Sequence, residues 1–460
     1  MELSSIQTIY FLGIGGIGMS ALARYFHREG KNVLGYDRTS SIVTEGLEDE
    51  GMTIFYVLDP SHIQEADLMV YTPAISQDNV EYQAALRAGI PILKRSQILG
   101  LISEQYRTLA VAGTHGKTTT SSMLAHLLRH GGVDATAFLG GIARNLEGNF
   151  AYGESDWLVV EADEFDRSFL TLKPEYAIVT SMDPDHLDIY GTPDEMANNY
   201  RAFGDLSQQL LVHHSLGEQG WTKPLETFGI EVGDYQARNL RFGDLETVFD
   251  FRFAERQIEN LRLPFPGRHN VLNMVSAMAL ALKAGMKAEK LPTAVSSFAG
   301  IYRRFERQHH SPRLTYIDDY AHHPTEIAAA MDTARRLFPD RQLVVIFQPH
   351  LFSRTRDFAD GFREELAKAD ALLLMDIYPA REEPIEGVSS EMLLSATPSA
   401  NAKIVTRKDI TTQLQQLISL PTILLSLGAG DIDREVGAIR AFCEAVDKEW
   451  VQNQESQHGN

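Results

Sequence analysis

The stretch TLAVAGTHGKTTTSSMLAHLLRHGG, Thr108–Gly132, reads as a buried strand, a glycine-containing turn and a helix, with Lys117 and Thr118 where the helix opens. A triphosphate is held by clustered backbone N–H groups, a cation and a metal-binding hydroxyl, and a helix N-terminus adds partial positive charge. The usual spacing G-x-x-x-x-G-K-[ST] asks for glycine at 111, where this chain has Val111. The bends come instead from Gly113 and Gly116. Position 111 belongs to the strand, so the loop is shortened without losing its N–H cluster. Lys117 is expected to reach the β- and γ-phosphate oxygens and the Thr118 hydroxyl to ligate Mg²⁺. The competing reading is a plain strand–turn–helix with an exposed lysine; the apolar strand before the turn and the helix after it favour phosphate.

Two further strands end in polar clusters. WLVVEADEFDRSFL, Trp157–Leu170, ends in carboxylates, and YAIVTSMDPDHLDIYG, Tyr176–Gly191, ends in Asp183, Asp185, His186 and Asp188. In a parallel sheet both ends fall on the face of the phosphate loop, where ligands bind. Glu161 and His186 are the expected Mg²⁺ ligands beside Thr118. Either residue alone would be read as a helix cap or a surface ion pair; two strand ends meeting one phosphate loop weigh against that.

A second glycine signal lies in TIYFLGIGGIGMSALARYF, Thr8–Phe26. Gly13, Gly15 and Gly18 spell G-x-G-x-x-G after a strand, and Asp37 follows the next strand, NVLGY. This is the dinucleotide fingerprint, which suggests a dehydrogenase. Its physics is less committal: such a turn offers N–H groups to any diphosphate, and the acid can meet any ribose. A third strand–turn–helix start is ILLSLGAGDIDREVGAIRAF, Ile423–Phe442.

Strand-like and helix-like segments alternate nearly throughout the 460 residues, which argues for α/β layers with parallel sheets and for two to four domains. Three evenly spread loop-and-helix starts suggest three domains, placed at 1–104, 105–308 and 309–460. The breaks are SEQYR before Thr108 and RQHHSPR before LTYIDDY. ARNLRFGDLETVFDFRF, Ala237–Phe253, alternates as antiparallel strands on the edge of the middle domain, and the polar tail after Val451 is expected to fray. A net charge of −20 argues against a nucleic-acid footprint and an anionic membrane surface. The single cysteine, Cys443, cannot build a disulfide or a cysteine metal site. No apolar run approaches a membrane span of about 20 residues, and the first residues lack a signal-peptide pattern. A cytoplasmic protein is expected.

These residues together resemble the Mur ligase family, the ATP-dependent amide ligases of peptidoglycan synthesis. The family's shortened loop G-T-x-G-K-[ST] is matched by Gly113–Thr118, its metal segments by EADE at Glu161–Glu164 and DHLD at Asp185–Asp188, and its H-N-x-x-N helix by GRHNVLNMVSAMALAL at Gly267–Leu282. YRRFE, Tyr302–Glu306, is similar to the hinge into the family's third domain. Within the family, FLGIGGIGMSALA, DDYAHHPTEI, FQPHLFSRTRDF and LGAGDI are most like the alanine-adding type. Leu351 stands where some relatives carry a basic residue, which weakens the case for one anion contact. Several relatives carry a carbamylated lysine after DHLD; no lysine occurs here between His186 and Lys223, as in the alanine-adding type.

The resemblance implies an N-terminal Rossmann-like domain that binds UDP-sugar, a central P-loop ATPase-type domain with a parallel sheet, and a C-terminal Rossmann-like domain. It implies ATP with Mg²⁺, and as substrates UDP-N-acetylmuramate and L-alanine, the sugar carboxylate being activated as an acyl phosphate. Gly13, Gly15, Gly16, Gly18, Asp37 and Thr72 would meet the UDP-sugar. Gly113, Thr114, His115, Gly116, Lys117, Thr118, Thr119, Asn273, Arg304 and Asp319 would meet ATP, with His269 near the adenine. Lys117, His186, His323 and Arg354 would serve catalysis, His186 on a second Mg²⁺, and His323, His350 and Arg354 would hold the amino acid. Closure of the domains is expected to exclude water from the acyl phosphate. The rival readings are a relative that ligates a recycled peptide, a nicotinamide oxidoreductase and a non-catalytic nucleotide sensor. No nucleic acid or membrane partner is expected, and monomer and dimer stay open.

Overall fold

A computed structural model describes residues 3–458 apart from 74, 184–186, 244–245, 381, 395–400 and 419–420, and leaves out the side chains of 187–188 and 450–458. The chain divides into two compact units, Met1–Ile301 and Tyr302–Asn460.

The first unit holds two sheets. One has five parallel strands, β1 (Thr8–Leu12), β2 (Asn32–Tyr36), β3 (Thr53–Phe55), β4 (Leu68–Tyr71) and β5 (Ile92–Lys94). Their order β3-β2-β1-β4-β5 is the doubly wound order 3-2-1-4-5-6 without its last strand, with the switch point between β1 and β4. The other sheet has ten strands. They are β6 (Arg107–Ala112), β7 (Thr136–Ala143), β8 (Gly148–Ala151), β9 (Trp157–Glu161), β10 (Pro174–Val179), β11 (Gln209–His213), β12 (Leu225–Ile230), β13 (Tyr235–Phe242), β14 (Thr247–Phe253) and β15 (Arg256–Leu263). Their order is β15-β14-β13-β12-β11-β10-β6-β9-β7-β8. The run from β12 to β7 is parallel, and β13, β14 and β15 pair antiparallel at one edge, where the alternation of Ala237–Phe253 puts such strands.

Strand β6 is apolar on both faces, as a central parallel strand covered on both sides must be. Leu109 and Val111 enter one core with the helix Lys117–Gly131; Ala110 and Ala112 enter the other with Ile98 and Ile102 from the last helix of the five-stranded part. Leu124, Leu127 and Leu128 of the helix after β6 are fully buried, each contributing roughly 1.5–3 kcal/mol of apolar burial. This packing fixes the direction in which the phosphate loop opens.

The second unit is built on β16 (Glu306–His310), β17 (Leu314–Asp319), β18 (Gln342–Phe347), β19 (Ala371–Leu374), β20 (Ala402–Ile404) and β21 (Thr422–Leu427), in the order β16-β17-β21-β18-β19-β20. All but β16 are parallel. Residues 307–310, read in the sequence as a break, form this antiparallel edge strand: RQHH lacks apolar alternation because it has one partner strand, Arg307 and His310 are exposed, and His309 pairs with Asp447. The tail also departs from expectation, since the final helix, Val436–His458, continues through it.

Candidate active site

β6 lies between β9 and β10, so their three C-terminal ends stand side by side. Val111 pairs with Glu161 on one side and Ile178 on the other, deep in the ladder, which is why glycine is not needed there. Gly113 (φ +139°) is needed: a Cβ would strike the Thr180 hydroxyl and come within 2.9 Å of the Ser181 nitrogen. Gly116 (φ +82°) is needed too, because a Cβ would stand 2.6 Å from Asn273 Oδ1. Asn273, buried on the helix Arg268–Lys283, thus packs against the phosphate loop, whereas His269 at that helix's start is exposed.

The loop is pinned from the β10 end. The Thr114 N–H donates to Ser181 O (3.2 Å), the Thr114 hydroxyl to Asp183 O (2.8 Å), and the His115 N–H to Ser181 Oγ (2.9 Å). Lys117 Nζ turns back into the loop, donating to Gly113 O (2.7 Å) and to Glu164 Oε1 (2.7 Å). Burial pulls its ammonium down, but Glu164, with Glu161 and Asp163 behind it, more than offsets this and holds it above its ordinary range. The Thr118 hydroxyl donates to Glu161 Oε1 (3.0 Å), while Glu161 Oε2 accepts the Gly140 N–H (2.9 Å). Thr119 is half-buried on the same helical turn.

His186 and Asp185 lie outside the described residues, as does the Asp188 side chain. Among the described residues no group of three or more His, Cys, Asp or Glu is set to hold a metal. Thr118 Oγ and Glu161 Oε1 nevertheless present two hard oxygen donors at the loop, a set that suits Mg²⁺ completed by phosphate and water.

The N-terminal turn follows β1. Gly13 (φ +90°) and Ile14 give their N–H groups to Tyr36 O (2.8 and 3.0 Å), and the Gly15 N–H meets Asp37 Oδ2 (2.8 Å). Gly16 caps the helix Ile17–Arg28, whose first-turn amides have no partner within the helix. A Cβ on Gly13 would lie 3.1 Å from Thr72 Cγ2, and one on Gly18 would overlap the Arg95 guanidinium. Gly13, Gly15, Gly16, Gly18, Asp37 and Thr72 are therefore one cluster.

In the second unit the ends of β17 and β18 bring histidines and arginines together. Asp319 accepts the Phe305 and Ala321 N–H groups (2.6 and 2.7 Å); burial pushes its carboxyl up to about 6, against the pull of Arg304. Arg304 lies over the Tyr320 ring, 5.3 Å from its centre, and 4.0 Å from Glu326. The His322 ring approaches that of His350 (centroids 6.0 Å), and Arg354 Nη1 is 3.4 Å from His350 Nδ1. His322 Nδ1 is 2.9 Å from Tyr320 O, which can only accept, so this nitrogen carries the proton and Nε2 the lone pair. His323 does different work: its Nδ1 accepts the Thr325 N–H at the start of the helix Pro324–Leu337, and its ring packs on Phe358. Arg356 pairs with Asp357 at the surface.

Three family models match along the chain: Mur ligase family, catalytic domain, at 8–107; Mur ligase middle domain at 111–281; and Mur ligase, glutamate ligase domain, at 303–430. A UDP-N-acetylmuramate–L-alanine ligase of Flavobacterium johnsoniae is 44% identical over 451 residues, covering 96% of this chain and 98% of that one. The chain belongs to the Mur ligase family. Among solved structures of this family, the UDP-N-acetylmuramate-alanine ligase of Thermotoga maritima matches with a TM-score of 0.81 at 30% identity, over 96% of this chain and all of that one. The murein peptide ligase of Psychrobacter arcticus matches at 0.68 and 24% identity, over 92% and 96% of the two chains, a likeness of fold.

Four contacts of this Mur ligase are not written in its sequence: Lys117 with Glu164, Gly140 with Glu161, His322 with His350, and Arg95 with Gly18. Each joins residues from different elements. The one sequence signal was compositional: a second acid in EADE, a glycine pair in FLGGIA, two adjacent histidines, and the KRS that opens a helix.

Proposed function

We infer that the protein joins L-alanine to the carboxylate of UDP-N-acetylmuramate, with cleavage of ATP to ADP and phosphate, as a step in making peptidoglycan precursors. The observation that carries this reading is end-to-end likeness: relatives named UDP-N-acetylmuramate–L-alanine ligase are 42–44% identical to it and aligned over nearly the whole of both chains. The site chemistry agrees with it. A carboxylate repels nucleophiles and has no good leaving group, so it must first be activated, in this reading as the mixed anhydride with phosphate.

In our reading the Gly113–Thr119 loop cradles the phosphates, and Lys117, already protonated in its nest, shifts from Glu164 toward the β- and γ-oxygens. Thr118 and Glu161 would hold Mg²⁺, which when bound neutralises phosphate charge. His186 remains a proposed second ligand. Asn273, Arg304 and Asp319 take the nucleoside side. The turn Gly13–Gly18, with Asp37 and Thr72, takes the UDP-sugar. The sugar carboxylate attacks the γ-phosphorus and ADP leaves; the amine then attacks the acyl carbon and inorganic phosphate leaves.

For the second step the His322 Nε2 lone pair takes the proton of the alanine ammonium, while His350 and Arg354 hold charge on the amino-acid carboxylate and the transition state. His323 fixes the helix start that aims them. Among the described residues no helix is long and apolar enough to cross a membrane, and we place the reaction in the cytoplasm, where nucleotide-linked precursors and ATP coexist.

Purified protein with ATP, Mg²⁺ and UDP-N-acetylmuramate, supplied with L-alanine or with an L-alanyl peptide, tests the reading by mass spectrometry of the nucleotide sugar. The expected product carries one alanine. A product formed only with the peptide would sink the alanine assignment, and no product with either would sink the ligase reading.

A further inference from the structure

The Arg95 guanidinium stands between the two phosphate-type turns of the first unit. Toward the N-terminal turn it lies against Gly18, where an added Cβ would come 3.0 Å from Arg95 Cδ and 3.2 Å from Cζ, and closer still to Nη1. The third glycine of the fingerprint is thus kept bare for an arginine. Toward the central sheet, Nη2 donates to Asp163 Oδ2 (3.0 Å), and Asp163 Oδ1 accepts the Phe165 N–H (3.1 Å). Asp163 sits between Glu161, which holds Thr118, and Glu164, which holds Lys117. Among the described residues Asp163 is the one hydrogen-bond partner of Arg95, so Nε and Nη1 are left to offer donors beside the glycine turn.

The rest of the contact is stiff. Lys94 Nζ pairs with Asp166 Oδ2 (2.7 Å), and the Thr171 hydroxyl donates to Ser96 O (2.8 Å). Gly100 approaches the segment Phe165–Thr171 so closely that a Cβ would lie 2.6 Å from Thr171 O. That segment contains Asp166 and Arg167 at φ +54° and +55°, left-handed values that non-glycine residues hold only when their surroundings enforce them. The helix Arg95–Ser103 and the acidic turn after β9 are therefore joined by an ion pair, side-chain hydrogen bonds and a close backbone approach.

We propose that Arg95 is a positioning residue that couples the two substrates: its free donors grip the diphosphate of the UDP-sugar while Nη2 keeps Asp163, and with it Glu161 and Glu164, in place for ATP. This rests on reading the Gly13–Gly18 turn as the UDP-sugar site. A guanidinium suits the task because its planar fork serves two anions at fixed angles, which an ammonium does not. Coupling of this kind is reciprocal: each ligand tightens the other by the same factor.

The test is calorimetry of full-length protein with UDP-N-acetylmuramate alone, with a non-hydrolysable ATP analogue and Mg²⁺ alone, and with each in the presence of the other. Wild type is expected to show mutual tightening. Arg95→Gln should bind the UDP-sugar about 10- to 100-fold more weakly, bind the ATP analogue alone a few-fold more weakly because Asp163 loses its partner, and lose the tightening. Arg95→Lys should recover part of the sugar affinity without the tightening, and Asp163→Asn should keep the sugar affinity and lose it. Gly15→Val, whose side chain would meet Asp37 and Thr44 within 2.8 Å, checks the turn itself. If Gly15→Val abolishes sugar binding but Arg95→Gln leaves affinity and tightening intact, the role of Arg95 is overturned alone. If Gly15→Val binds the sugar normally, the reading of the turn falls and this proposal with it. Absence of tightening in wild type also overturns it.

Discussion

Lys117 Nζ and Glu164 Oε1 are 2.7 Å apart at the mouth of the phosphate loop, with both side chains largely shielded from water. The loop's cation is therefore held by an internal carboxylate, from which the proposed reaction requires it to turn to phosphate. Replacing Lys117 by alanine leaves Glu164 buried without its counter-charge and takes away the proposed phosphate ligand. We expect kcat to fall by about 100-fold or more, measured as phosphate release, with the variant still folded by circular dichroism. Activity within twofold of wild type would contradict the role given to the loop.

Gly140 tests the metal reading from outside the metal ligands. Its N–H holds Glu161 Oε2, and a Cβ there would overlap the Glu161 carboxylate. Gly140→Ala should push Glu161 away from Thr118 and raise the Mg²⁺ concentration needed for half-maximal rate by about tenfold, the size of effect seen when a metal ligand loses its support. A Mg²⁺ titration superimposable on wild type would refute it.

His322 and His323 should separate cleanly. Burial holds the His322 imidazole below its ordinary 6.5, with Glu326 pulling upward and Arg354 pushing further down. A base works when neutral, so the rate should rise with pH through this depressed value and be flat above about pH 7. His322→Gln should lower kcat by about 100-fold and erase the acidic limb. His323→Ala should instead lose a helix cap, costing about 1 kcal/mol of stability, seen as a lower melting temperature. A pH profile unchanged in His322→Gln would exclude it as the base.

Gly116→Ala combines a left-handed backbone with a 2.6 Å approach to Asn273 Oδ1. The expected result is loss of ATP-analogue binding, by roughly tenfold or more given a strain of 1–3 kcal/mol, while UDP-sugar binding alone persists. Equal loss of both ligands would point to general unfolding.

What was legible in the sequence was what chemistry writes locally. Gly113, Gly116, Lys117 and Thr118 fall within six positions, and the strand before them is apolar because both its faces are covered. Hence the three α/β sheets, the carboxylate end of β9 and the antiparallel edge were readable. What was not readable depends on register between distant elements. Adjacent histidines look alike in sequence; only the turn into the helix Pro324–Leu337 sends His322 to His350 and His323 to Phe358. Arg95 reads as an ordinary helix-start residue until the packing lays it on Gly18. Residues 307–310 lacked strand alternation because an edge strand has little apolar surface to bury.

In the proposed reaction a phosphoryl group passes to the sugar carboxylate before the amide forms. UDP-N-acetylmuramate labelled with ¹⁸O in both carboxylate oxygens, incubated with ATP, Mg²⁺ and L-alanine, tests it by mass spectrometry of the released phosphate. One ¹⁸O atom is expected in each phosphate released per amide made; phosphate free of label, with amide formed at the normal rate, would rule out an acyl phosphate.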